Sequence, residues 1–209
     1  MPVSRYPVPA GIHRVETVIQ RSRFITTLGP APTVEAARTF IAAIRRELAD
    51  ATHHCWAYLV GPPGHTAQVG FSDDGEPHGT AGRPMLDVLV HSGVGDIVAV
   101  VTRYFGGVLL GKGGLVRAYS GGVKLALADL PRAERVERKS MTLILPYTFL
   151  KPLRLLLPDF AAEVVAEDYA ADVTLHLQVP VDRLDELGKA VEALTQGRAV
   201  MAVLPPERL

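Results

Sequence analysis

Asparagine is absent from the 209 residues, and cysteine occurs once. A single thiol, Cys55, leaves no internal disulfide and points to a reducing, cytoplasmic compartment. No apolar run approaches the roughly 18 residues of a membrane span. The opening MPVSRYPVPAG lacks the basic-then-apolar order of a secretory signal. No membrane partner is therefore expected. Net charge is missing too: 22 Lys and Arg balance 22 Asp and Glu. That excludes a chain basic overall, the plainest nucleic-acid binder, but not a local basic patch. The missing asparagine accompanies 17 Arg against 5 Lys, a bias that a GC-rich genome and heat adaptation can both produce.

Hydrophobic residues make up 48% and charged residues 21% of the chain, enough to fold one or two cored domains. Glycine is unevenly placed. Of 19 glycines, 15 fall between Gly61 and Gly122, and the other 147 residues hold four.

Residues 12–19 and 22–29 read as a hairpin of two strands. Thr33 is a candidate N-cap for a helix to about Ala49, with Phe40, Ile41, Ile44 and Leu48 on its apolar stripe. Strands follow at 55–60 and 67–71, across GPPG. A turn-rich segment, SDDGEPHGTAGRP, leads into a helix at 84–92. DIVAVVTRY (96–104) is continuously apolar at its centre, which marks a strand buried on both faces. FGGVLLGKGG comes next, then a helix at 115–130. The charge-rich RAERVERK (132–139) reads as a linker between domains 1–131 and 140–209. Beyond it, strands at 140–146, 161–168, 172–179 and 198–204 and helices at 148–157 and 181–196 give the order β-α-β-β-α-β. That is the ferredoxin-like plait, with Gly197 placed as a helix C-terminal glycine. The fold class is α+β. No repeat or low-complexity tract interrupts it.

A glycine-rich loop between a buried strand and a helix suits anion binding, because backbone N–H groups and a helix N-terminus converge with no Cβ in the way. Gly106, Gly107, Gly111, Gly113 and Gly114 supply such a surface, and Arg83, Arg103, Lys112 and Arg117 add charge. The same glycines also suit tight turns and close packing. The loop approaches a Walker A pattern but has Gly113 where Ser or Thr should hold magnesium, so NTP hydrolysis is not expected. In SDDGEP, the order of preference is an arginine-paired structural turn, with Arg83 or Arg103 as the partner, then a nucleic-acid or protein contact, then a metal site. In THHCWAY, His53, His54 and Cys55 lack further zinc ligands. A core role for Cys55 and Tyr58, with a His capping the preceding helix, outweighs a cysteine nucleophile. Trp56 and Tyr58 share a face that suits core packing or base stacking. No cofactor or metal is expected, and no catalytic residue is assigned.

Four segments together resemble the IMPACT family, in its bacterial, YigZ-like branch. They are Glu16 with SRFI (22–25), ATHHCWAY (51–58), SDDGEPHGTAGRPML (72–86) and VVTRYFGGVLLGKGGLVRAYSGGV (100–123). The resemblance is specific over roughly residues 15–130, and the plait matches the family's usual second domain. His54 stands where the family commonly has Asn. The resemblance implies a left-handed βαβ domain of the ribosomal-protein and elongation-factor type, followed by a plait like those of elongation factor G. It implies contact with ribosomal or other structured RNA, with Asp73, Asp74, Glu76 and Tyr104 on the motif surface. Eukaryotic relatives act in translational control through a starvation-kinase pathway and carry an extra N-terminal partner-binding domain. This chain is expected to lack that domain, so the kinase role is not transferred.

Three functions are thus expected in order. The first is an RNA- or ribosome-associated protein in regulation of translation. The second is an enzyme on a phosphate-containing small molecule, with the DDGEP carboxylates and the glycine loop in one cleft. The third is a protein-interaction module. Oligomeric state is not readable.

Overall fold

The computed structural model describes residues 5–204. The chain divides into two compact units, one over residues 6–135 and one over residues 136–204 with Arg5. Its strands are β1 (Arg5–Pro9), β2 (His13–Ile19), β3 (Ser22–Pro30), β4 (His53–Leu59), β5 (Val69–Ser72), β6 (Ile97–Tyr104), β7 (Arg132–Val136), β8 (Arg138–Leu145), β9 (Glu163–Tyr169), β10 (Val173–Pro180) and β11 (Val200–Val203). Its helices are α1 (Val34–Glu47), α2 (Gly82–Val90), α3 (Gly111–Ala128), α4 (Leu150–Leu156) and α5 (Leu184–Thr195). The class is α+β with antiparallel sheets.

In the N-terminal unit, five strands form one sheet in the order β2-β3-β6-β4-β5, each neighbouring pair antiparallel. β6 lies at its centre and is buried from Ile97 to Arg103. Its side chains alternate between two cores. Ile97, Ala99 and Val101 join Met85, Leu89, Leu115 and Tyr119 on the face covered by α2 and α3. Val98 and Val100 join Ile41, Ile44 and Tyr58 under α1. Each such aliphatic side chain contributes about 1.5–3 kcal/mol by leaving water. The apolar run of β6 thus encodes a strand with helices on both sides, within an antiparallel sheet.

Local signals set the helices. Thr33 Oγ1 accepts the Ala36 N–H at 3.1 Å, closing the start of α1, and Ala37, Ile41 and Ile44 form its buried stripe. α3 starts at Gly111, four residues ahead of the expected 115. Glycines suggest loop by propensity, but here GKGG is the first helical turn. Gly106, just before it, is required by close approach: a Cβ there would lie 2.1 Å from the Arg21 carbonyl carbon.

The charged linker expected at 132–139 is mostly strand. β7 occupies residues 132–136 and pairs with β1, and β8 begins at Arg138. The charges stay on the exposed faces of a two-stranded ribbon while its backbone is paired, as suits an edge. β1 escaped the sequence reading because Pro7 and Pro9 argue against strand. An edge tolerates them. Buried Asp96 fastens this ribbon to the unit: it accepts from Tyr6 Oη at 2.9 Å, from Arg135 Nη1 at 2.6 Å and from the Gly61 N–H at 2.8 Å.

In the C-terminal unit, four antiparallel strands run in the order β11-β8-β10-β9. α4 and α5 cover one face, with Leu153 and Leu187 in one core with Leu143, Leu145, Leu175 and Leu177 of the sheet. The helix expected at 148–157 is instead a 3-10 turn, a short α4, and a second 3-10 turn. Pro158 brings no N–H to extend α4. Gly197 follows α5 with φ of +75°.

Candidate functional site

The SDDGEP turn is held together by its own carboxylates. Asp73 Oδ1 accepts the N–H groups of Ala81 and Gly82 at 3.0 and 2.9 Å, and Oδ2 accepts that of Gly79 at 2.8 Å. It therefore caps α2, whose own N-cap residue, Ala81, has no side-chain acceptor. Burial pushes the Asp73 carboxyl up. The three backbone donors and nearby His78 outweigh that and hold it below its ordinary value. Asp74, at φ of +44°, accepts the His54 N–H at 2.7 Å through Oδ2 and pairs with Arg45 through Oδ1. Glu76 is buried and accepts twice on Oε1, from Arg103 Nη1 at 2.6 Å and Tyr119 Oη at 2.7 Å. The turn is thus arginine-paired through Arg45 and Arg103. Arg83, the other candidate partner, pairs along its own helix with Asp87. Among the described residues no three His, Cys, Asp or Glu side chains are grouped to hold a metal ion.

β4 supplies the next wall. His53 Nδ1 lies 2.8 Å from the Asp74 carbonyl oxygen, and His54 Nε2 lies 3.0 Å from the carbonyl of Leu48, at the C-terminus of α1. A histidine does cap the preceding helix. Cys55 is fully buried, with its thiol donating to the Asp73 carbonyl at 2.9 Å. Burial pushes that thiol up to about 12, so it is a poor nucleophile at neutral pH. Trp56 and Tyr58 stack on each other, centroids 5.8 Å apart, against the α1 core. Tyr58 is buried in that core, while Trp56 is partly exposed at its edge.

β6 and the loop after it complete the arrangement. Arg103 is buried, with its guanidinium 5.4 Å from both the Phe24 and Phe105 rings, and its Nε has no hydrogen-bond partner. Tyr104 Oη donates to Asp50 at 2.9 Å, and Arg23 lies over its ring. Burial and the Asp50 carboxylate push the Tyr104 phenol up. The loop from Phe105 to Leu110 exposes apolar side chains, Leu109 being 85% accessible. α3 then opens with no side-chain cap and no acidic residue in its first turn, which contains Lys112. Lys112 and Arg117 are both exposed.

These segments meet at a cavity of about 460 Å³, lined by Thr52 and His53, by Gly75, Glu76 and Pro77, and by Arg103 and Phe105. Leu109, Leu110, Gly111, Lys112 and Leu115 close it. It falls within the usual size of small-molecule sites. Of the residues singled out in the sequence, Glu76, Arg103, Gly111 and Lys112 line this cavity. Asp73 and Asp74 support it from behind. Arg117 and Gly114 line a separate recess of about 290 Å³ beside α3. Thr52 and Phe105 were not singled out in the sequence, and His53 was weighed there only as a zinc ligand or helix cap. Their signal was present, since they lie within the ATHHCWAY and TRYFGG motifs. A larger groove of about 690 Å³ between α2 and α3 contains none of the singled-out residues. The smaller cavity is the better candidate because polar groups converge on it.

The C-terminal sheet offers less. Thr142 and Ile144 on β8 sit opposite His176 and Thr174 on β10, partly exposed. Neither strand carries Phe, Tyr or Trp, the rings on which sheet-type RNA domains stack bases.

The site motifs and the α+β framework define a protein of two joined domains. Residues 20–127 match the Impact N-terminal domain, and residues 143–198 match a domain of unknown function, DUF1949. The chain belongs to the IMPACT family. It is 44% identical to the IMPACT family member YigZ of Escherichia coli over 190 residues, covering 91% of this chain and 93% of that one. It is 37% identical to YvyE of Bacillus subtilis, covering 91% and 86%. A crystal structure described as that of a hypothetical protein is 41% identical, with a TM-score of 0.73 over 99% of this chain and all of that one.

Proposed function

We propose that this protein is a cytoplasmic, RNA- or ribosome-associated factor in regulation of translation, and that the start of α3 is its phosphate contact. The observation that carries this is the uncapped first turn of α3. Its backbone N–H groups have no side-chain acceptor and no acidic neighbour, while Lys112 stands within it and Arg117 follows one turn later. Such a helix start attracts phosphate through its dipole and its unpaired donors. Zero net charge confines the attraction to that place and keeps affinity modest. Family membership supports a left-handed βαβ type for the N-terminal unit. The strand order β11-β8-β10-β9 supports a ferredoxin-like plait for the other.

Arg103, expected in the contact surface, has a different role in this proposal. Its charge is spent internally on Glu76, so it shapes the pocket floor. Arg83 is exposed but paired with Asp87 and adds little. The test is binding to structured RNA and to ribosomes across a salt series, with Lys112→Ala and Arg117→Ala. Binding by the double variant equal to wild type would remove the contact from α3.

A second function, action on a phosphate-containing small molecule, is favoured by the cavity itself. The carboxylates of Asp73 and Asp74 are committed to the turn, so Glu76 is the one DDGEP carboxylate on the cavity wall. A protein partner would meet the exposed Phe105, Val108 and Leu109. Pull-down material that survives nuclease treatment would favour it.

A further inference from the structure

We propose that the cavity at the start of α3 is a site for a nucleoside monophosphate, free or as the phosphorylated end of an RNA strand. This rests on the assignment of phosphate to the α3 N-terminus and adds what the remaining walls recognise. Three chemically distinct walls face one space of about 460 Å³.

The first wall is cationic. Gly111 and Lys112 line the cavity, and the helix turn that they open has unclaimed N–H donors. A terminal phosphomonoester carries roughly two negative charges at neutral pH and several acceptor oxygens. It suits a helix start better than a bridging diester does.

The second wall is apolar. Phe105, Leu109, Leu110, Leu115 and Pro77 line it. Inorganic phosphate would leave these side chains facing water. A flat heterocycle would cover them, and the Phe105 ring offers a face for stacking.

The third wall accepts hydrogen bonds. The Asp74 carbonyl can only accept, so His53 Nδ1 carries the proton in that 2.8 Å contact. In the neutral ring, Nε2 is then an acceptor, and it has no partner among the described residues. Glu76 is more telling. Its side chain is 3% exposed and lines the cavity, yet both of its hydrogen bonds fall on Oε1. Oε2 accepts from no protein donor and is not sealed from the cavity that Glu76 lines. It is therefore open to a ligand N–H or O–H. Ribose hydroxyls and exocyclic amines are such donors. Phosphate, apolar ring and donors occur together in a nucleotide.

The test is calorimetric titration of the full chain with AMP, GMP, CMP and UMP, beside adenosine and inorganic phosphate. At least one monophosphate should bind saturably, with its nucleoside and inorganic phosphate each weaker by about tenfold or more, the loss expected when one charge-assisted contact is missing. His53→Ala and Glu76→Gln should each weaken it by about tenfold. Should either variant fail to fold, the wild-type comparison of monophosphate with nucleoside still decides. One short RNA, 5′-phosphorylated or 5′-hydroxyl, separates the sources. Preference for the phosphorylated form supports an RNA end, and equal binding beside a saturable monophosphate supports the free nucleotide. If no monophosphate saturates at millimolar concentration while RNA binding still falls with Lys112→Ala, the nucleotide site is overturned and the phosphate contact stands. If Lys112→Ala and Arg117→Ala leave RNA binding unchanged as well, both fall.

Discussion

Arg103 Nη1 donates to Glu76 Oε1 at 2.6 Å, with both side chains almost entirely out of water. The pair joins the turn before α2 to the central strand β6, and Tyr119 of α3 closes it from the third side. Two segments 27 residues apart in the chain are therefore one structural unit. Removing one partner strands the other charge. Arg103→Ala is expected to destabilise the N-terminal unit by about 3–5 kcal/mol. Replacing both residues with apolar side chains of similar volume should recover much of that loss. Urea unfolding of the single and double variants measures both effects, and equal loss in single and double variants would count against the pairing.

Asp73 acts as the cap of α2 through three backbone N–H groups. Asp73→Ala is expected to cost about 1–3 kcal/mol. Its folded-state carboxyl lies below its ordinary value. The stabilisation is therefore complete above the unfolded-state value of about 4 and is lost as pH falls through the lower folded value. Wild type should lose more stability than Asp73→Asn as the pH is taken down through this window. Parallel stability–pH curves for the two proteins would contradict the cap.

The adjacent glycines of α3 should respond in opposite directions. A Cβ at Gly121 would meet open space, whereas one at Gly122 would lie 2.6 Å from Thr26 Oγ1 on buried β3. Gly121→Ala is expected to stabilise by about 0.5–1 kcal/mol through helix propensity. Gly122→Ala should destabilise by about 1–3 kcal/mol through overpacking. Thermal unfolding of the two variants, made side by side, gives the comparison.

Cys55 should be unreactive in the native state. Its thiol is fully buried and pushed up to about 12 by that burial. A thiol reagent at neutral pH is expected to modify it only at the rate of unfolding and fully in denaturant. Rapid modification of native protein would show that β4 opens far more readily than its packing implies.

Much of this arrangement was legible in the chain. The apolar centre of β6 announced burial on both faces, and Thr33 announced the start of α1. The succession of strands and helices along the second unit was read from its apolar spacing and turns. What escaped had physical causes. Pro7 and Pro9 hid β1, because proline is excluded from central strands but not from an edge. Glycines hid the first turn of α3, because low helix propensity reads as loop; of those in the turn only Gly114 is crowded, a Cβ there lying 3.0 Å from Leu110 Cβ. Arg103 is a cation in sequence and one half of a neutral pair in space. His53 stands within a motif, but its partner, a backbone carbonyl 21 positions away, is not readable from local pattern. Side-chain pairing across the sheet is a long-range property, and local pattern does not encode it.

The central claim is phosphate recognition at the start of α3, and the salt dependence of RNA binding tests it most directly. Affinity for one structured RNA should be measured for wild type, Lys112→Ala and Lys112→Ala/Arg117→Ala over a range of salt. Each lost phosphate contact should reduce the slope of log affinity against log salt by about 0.7–0.9, with weaker binding at every salt concentration and unchanged unfolding transitions. Identical slopes and affinities in all three proteins would contradict the claim.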